Sequence, residues 1–170
     1  MTIHHFVRHG EELCKEPLHY TDCGLDNIYL KNGFSWENDE EDRYLTVSDI
    51  DGLHRAIGLH IVLARKAPSG KEMRFLRNEL SMSQADLART LGVSDQSVAR
   101  WEKGQSEANG AAVLGLRFIY LLSLVPAKQR EKLMDSLLER LEKLSESDET
   151  SDAIFLSYNG KWRDPKLVAA

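Results

Sequence analysis

The sequence predicts an α+β protein that is mostly helical, and three observations carry that expectation. Strand signals are confined to the two ends of the chain, capped helical periodicity fills the stretch from residue 70 to 144, and 170 residues suffice to bury a real core. At the front, Ile28-Tyr29-Leu30 and Arg43-Tyr44-Leu45-Thr46-Val47 read as strands, and Asn32-Gly33 between them suits a turn. The nearly all-acidic run at residues 37–42 reads as a solvated loop; it lacks the Asp-x-Asp-x-Asp-Gly spacing of a calcium loop. Ser48 or Asp49 can cap a helix carrying Ile50, Leu53, Ile57, Leu59, Ile61, Val62 and Leu63 at helical spacing. Ala67-Pro68-Ser69-Gly70 then breaks the chain.

Five further helices are expected, over residues 71–80, 84–91, 95–103, 110–125 and 127–144. The last shows a one-sided apolar stripe of Leu133, Met134, Leu137, Leu138, Leu141 and Leu144. Residues 145–152 are acidic and read as a linker. The tail reads as a hairpin (Ile154-Phe155-Leu156-Ser157-Tyr158, a turn at Asn159-Gly160, then Lys161-Trp162) that would be marginal alone and so should dock on the N-terminal strands. The expected organisation is an α+β region over residues 1–66 for partner binding or assembly and a helical domain over 67–144. The linker at 145–152 and a hairpin or tail over 153–170 complete it.

Composition excludes several classes. No apolar run is long enough to cross a membrane, since the stretch at residues 111–125 is interrupted by Arg117 and followed by Pro126. The first residues lack a signal-peptide core, and two cysteines make no disulfide framework, so a reduced, cytoplasmic protein is expected. Gly-x-Ser-x-Gly, a phosphate loop and His-Glu-x-x-His are all missing, and the reading is not an enzyme. The net charge of -5 argues at first against nucleic acid, but residues 1–50 hold 11 acidic and only 4 basic side chains, whereas residues 51–68 and 69–105 are mildly basic.

The informative stretch runs from Ser83 to Gly104. Ser83 and Ser94 can cap two short helices, Ala88 suits a close helix crossing, and Gly92 suits a left-handed turn between them. With Leu87, Leu91, Val98 and Trp101 inward, Asp95, Gln96, Ala99, Arg100 and Lys103 share an outer face. Gln84, Leu87, Ala88, Gly92, Val93, Ser94, Val98, Trp101, Glu102 and Gly104 resemble the phage-repressor-like (Cro/C1, or XRE) helix-turn-helix family. A second resemblance, carried by Met73-Arg74-Phe75-Leu76-Arg77, Arg100 to Gly104 and residues 20–34, is to the antitoxin regulators of the zinc-finger/helix-turn-helix (MqsA/YgiT) type, whose paired Cys-x-x-Cys motifs are missing here.

The first resemblance implies a five-helix domain that docks the second motif helix in the major groove of double-stranded DNA. Gln84, Ser94, Asp95, Gln96, Ser97, Arg100 and Lys103 would be its contacts. One such helix covers only about half of a useful site, so a homodimer on a pseudo-palindromic operator is expected, paired through residues 111–125 and 133–144, which carry more apolar surface than a core of this size needs. The second resemblance implies an antitoxin that represses its own operon and holds a protein toxin. A phage or mobile-element repressor without a toxin, and an adaptor that binds only protein, are the competing readings. His4, His5, His9, Cys14, His19 and Cys23 are zinc-type ligands, but their spacing is not that of paired knuckles. No cofactor is expected, with zinc on Cys14, Cys23, His9 and His19 the alternative.

Overall fold

A computed structural model describes residues 14–38, 42–130 and 153–168. The elements in order are β1 (Leu18–His19), β2 (Ile28–Leu30), β3 (Phe34–Asn38), β4 (Arg43–Val47), α1 (Ile50–Ala64), α2 (Gly70–Glu79), α3 (Gln84–Leu91), α4 (Asp95–Glu102), α5 (Gly110–Leu124), a 3-10 turn (Ala127–Gln129), β5 (Ile154–Tyr158), β6 (Trp162–Arg163) and the short α6 (Pro165–Val168).

Both ends of the chain build one sheet, ordered β1-β2-β5-β6. The tail docks as expected: β5 runs parallel to β2, with Ile28 opposite Ile154 and Leu30 opposite Leu156. These four side chains are buried on the core side, while Tyr29 and Phe155 stand on the other face. There His19, Tyr29 and Phe155 form a stacked row, with centroids 4.9 and 5.2 Å apart.

At the front the Asn32-Gly33 turn serves an unexpected partner, and one sequence expectation, the all-loop acidic run, needs correction. Asn32-Gly33 bends the chain but joins no hairpin, because β2 pairs with β1 and β5 rather than with β3. Asn32 is buried and uses its amide as a piece of strand: its Nδ2 donates to the Tyr158 carbonyl at 2.9 Å, and its Oδ1 accepts from the Tyr158 N–H at 2.5 Å. Gly33 has φ +77, and a Cβ there would lie 2.7 Å from the Trp162 ring. The acidic run is not all loop. Glu37 and Asn38 lie in β3, opposite Tyr44 and Arg43 of β4, and Asp42 is exposed. Cross-strand pairing, with Trp36 under the Arg43 guanidinium at 4.1 Å, overrides the polarity of the strand end.

Asp49 rather than Ser48 caps α1; its Oδ1 accepts from the Gly52 N–H at 3.1 Å. Leu53, Ile57, Ile61 and Val62 of α1 are buried, and α1 packs against α2 and α5 as well as β5, β6 and α6. The Trp162 indole N–H donates to the Ser48 and Asp49 carbonyls at 2.9 and 3.1 Å, and buried His60 pairs with Asp164. At its other end, buried Arg117 of α5 donates to the carbonyls of Ile61, Val62, Arg65 and Lys66 at 3.3, 2.5, 2.5 and 3.2 Å. The guanidinium thus satisfies the carbonyls that α1 leaves bare at its carboxyl end, although burial pulls its pKa down to about 10. Arg65, fully buried, donates through Nε to Glu72 of α2 at 2.9 Å.

Four of the five expected later helices are α2 to α5, each within one residue of its expected bounds. Of the fifth, only the 3-10 turn at its start and residue 130 are described. The Leu133 to Leu144 stripe and the acidic linker at 145–152 lie outside the described residues.

Candidate nucleic-acid interface

Three helices meet around one buried carboxylate. Ser69 opens α2 with a reciprocal capping box to Glu72, and Gly70 follows because a Cβ there would lie 2.1 Å from the Trp101 carbonyl of α4. Ser83 opens α3 in the same way with Asp86, whose carboxyl is held below the usual carboxylate range by the Ser83 hydroxyl. Gly92 closes α3 at φ +70, as expected of a left-handed turn, and Ser94 opens α4 by accepting from the Ser97 N–H at 3.1 Å.

On α4 the inward side chains Val98, Trp101 and Glu102 are buried, together with Leu87 and Ala88 of α3. Leu91 is half-buried and packs toward Gly115. Asp95, Gln96, Arg100 and Lys103 are exposed, and Ala99 and Ser97 are half-buried beside them. Gln96 and Arg100, four residues apart, share one exposed flank of α4. Arg carries the paired donors that match guanine O6 and N7, and Gln the donor and acceptor that match adenine. The Ser94 and Ser97 hydroxyls bond each other at 2.9 Å.

Glu102, which in the sequence is one residue of the motif with no assigned role, is the carboxylate at the centre. Its side chain is 1% exposed and takes Arg77 Nε on Oε1 at 2.6 Å; Oε2 takes Arg77 Nη2 at 3.0 Å, Gln84 Nε2 at 2.8 Å and Arg74 Nε at 3.4 Å. Burial alone would raise the Glu102 pKa, but the hydrogen bonds from Arg77 and Gln84 and the charge of Arg77 outweigh it and hold the carboxyl below its usual range. The carboxylate therefore fixes α4 against α2 and α3. Gln84 spends one amide hydrogen on it and keeps a second. The sequence signal is faint, because Glu102 sits between Trp101 and Lys103 and its two arginines, three residues apart, lie two helices upstream on α2.

The zinc alternative divides across the described boundary. His4, His5 and His9 lie outside the described residues. Cys14 and Cys23 are free thiols, both half-buried; burial pushes the Cys23 thiol up. His19 Nε2 donates to the Asp26 carbonyl at 2.7 Å. Among the described residues no three His, Cys, Asp or Glu side chains are grouped to hold a metal.

With that geometry in view, residues 73–116 match the family model described as helix-turn-helix, from within α2 to within α5, about a quarter of the chain. No curated protein and no solved structure matches the chain. This segment is a helix-turn-helix of the phage-repressor-like XRE family. The protein that carries it is a DNA-binding transcriptional regulator. No helix among the described residues is long and apolar enough to cross a membrane.

Proposed function

We propose that the protein is a sequence-specific repressor that binds double-stranded DNA as a homodimer, each copy placing α4 in the major groove. The observation that carries this reading is the division of α4. One flank is buried and fixed through Glu102, and the other presents Gln96 and Arg100 side by side, with Asp95 at the amino end and Lys103 at the carboxyl end. Ser94, Ser97 and Gln84 lie at the amino ends of α4 and α3, where backbone N–H groups face a phosphate most readily.

One reading helix covers half of a useful site, so two copies on a pseudo-palindrome supply the rest. Leu114 of α5, 40% exposed, supports pairing through that helix. The α+β unit is read as a protein-binding module. Its likeness to the antitoxin regulators over residues 20–34 supports a toxin as its partner and a cytoplasmic operon repressed by its own product. Zinc is not required in this reading; the Cys14, Cys23, His9 and His19 set is left as ordinary thiols and imidazoles.

Binding-site selection from a random duplex pool, with sedimentation of the purified protein, tests the proposal. It predicts an inverted repeat with half-sites roughly one DNA turn, about 34 Å, apart and a dimer at micromolar concentration. A single unrepeated half-site bound by a monomer contradicts it. A gene for a toxin beside this one separates the antitoxin from a mobile-element repressor.

A further inference from the structure

Two arginines on α2 reach one carboxylate, and they are not equivalent. Arg77 is largely buried and fully committed: Nε and Nη2 go to Glu102, and Nη1 donates to the Met82 carbonyl at 2.8 Å. Arg74 is half-exposed and touches Glu102 only through Nε, at the longest of the four distances. Its two terminal nitrogens have no protein acceptor among the described residues.

The charges do not balance either. Two guanidiniums face one carboxylate, and the neighbours of Arg74 on its own helix at i−3 and i+3 are Lys71 and Arg77. Lys71 is paired with Asp26 and Arg77 with Glu102, which leaves the surplus cation on Arg74. Gln84, at the amino end of α3, donates to the same Glu102 oxygen as Arg74, so the two side chains converge on one point. A planar fork of unspent donors beside a helix amino end fits a tetrahedral oxyanion better than it fits water.

We infer that Arg74 binds a DNA backbone phosphate through its terminal nitrogens, carrying the interface from α3 and α4 onto α2. The inference rests on the DNA-binding reading and adds to it a residue that contributes affinity but no sequence preference. Arg74 holds Glu102 weakly in the free protein and turns its fork to the phosphate in the complex.

The test is fluorescence anisotropy of the full chain on a labelled random-sequence duplex of about 30 bp, between about 50 and 200 mM salt. Arg74→Ala and Arg74→Gln should each flatten the slope of log K against log salt by about 0.9, as expected for one lost phosphate contact. Arg74→Lys should keep most of the slope, and Lys161→Ala, on the exposed turn before β6, should leave it unchanged. Thermal melts of the variants establish that each is folded. Unchanged slopes in both charge-removing variants overturn the inference, as does an equal drop in Lys161→Ala, which would make the effect one of net charge. A wild type without salt-dependent binding overturns the DNA-binding reading as well, and so is told apart from a failure of Arg74 alone.

Discussion

The helix-turn-helix and the α+β unit are both held by buried polar groups, but they reach their partners over different lengths of chain. In the helix-turn-helix the Glu102 network spans at most 28 residues, from Arg74 to Glu102, and every cap acts on a residue three positions away. In the α+β unit Asn32 holds Tyr158 across 126 residues, Trp162 holds Ser48 across 114 and His60 holds Asp164 across 104. The first can form as soon as its own segment is made, whereas the second waits for the tail to return. The helix-turn-helix is a local device placed within a unit that only the two chain ends together complete.

The largest expected effect falls on the local device. Glu102→Ala leaves Arg77, only 12% exposed, without its counter-charge, and should cost about 3–5 kcal/mol in denaturant melts. It should loosen α4 and weaken DNA binding with it. A loss under 1 kcal/mol would mean that the three helices are held by their apolar contacts alone.

The distal device should respond to Asn32→Ala, which removes the two hydrogen bonds that Asn32 makes with the Tyr158 backbone and should cost about 0.5–1.5 kcal/mol for each. Hydrogen exchange sharpens the contrast. This variant should lose protection in β2 and β5 while α3 and α4 keep theirs; equal loss in both would merge the two regions into one cooperative unit.

Acid supplies the smaller test. The folded-state pKa of Glu102 lies below its unfolded value, so its contribution is complete above the ordinary glutamate range, near about 4.3, and is lost as pH falls from there through the lowered value. Glu102→Gln should flatten the stability profile in that window and leave it unchanged in shape near neutrality. A wild-type profile already flat below pH 4.3 would remove the argument.

The same contrast explains what could be read in the sequence. Ser83, Gly92, Ser94 and the inward Leu87, Val98 and Trp101 were legible because cap, turn and helical face are each set by residues within a turn or two. So were the bounds of β2, β4 and α3. β3 was not, since Phe34-Ser35-Trp36-Glu37-Asn38 ends in polar residues and owes its form to the strand opposite. Asn32 looked like a turn residue because its partner stands more than a hundred residues away. Arg117 looked like an interruption in an apolar helix, and only the folded chain shows it beneath the bare carbonyls of α1. On α4 the residues of the candidate site were legible as exposed positions, whereas the carboxylate that aims them was not, because its arginines sit on a different helix.

Base reading by α4 shows in the affinity and selectivity of Arg100→Ala beside Lys103→Ala on the selected operator and on its single-base variants. Arg100→Ala should lose about 1–3 kcal/mol on the best site and flatten preference at one base pair in each half-site. Lys103→Ala should weaken all sequences alike and lower the salt slope by about one. An Arg100→Ala protein that binds its operator as tightly and as selectively as the parent would contradict the account and leave this helix-turn-helix a surface for protein.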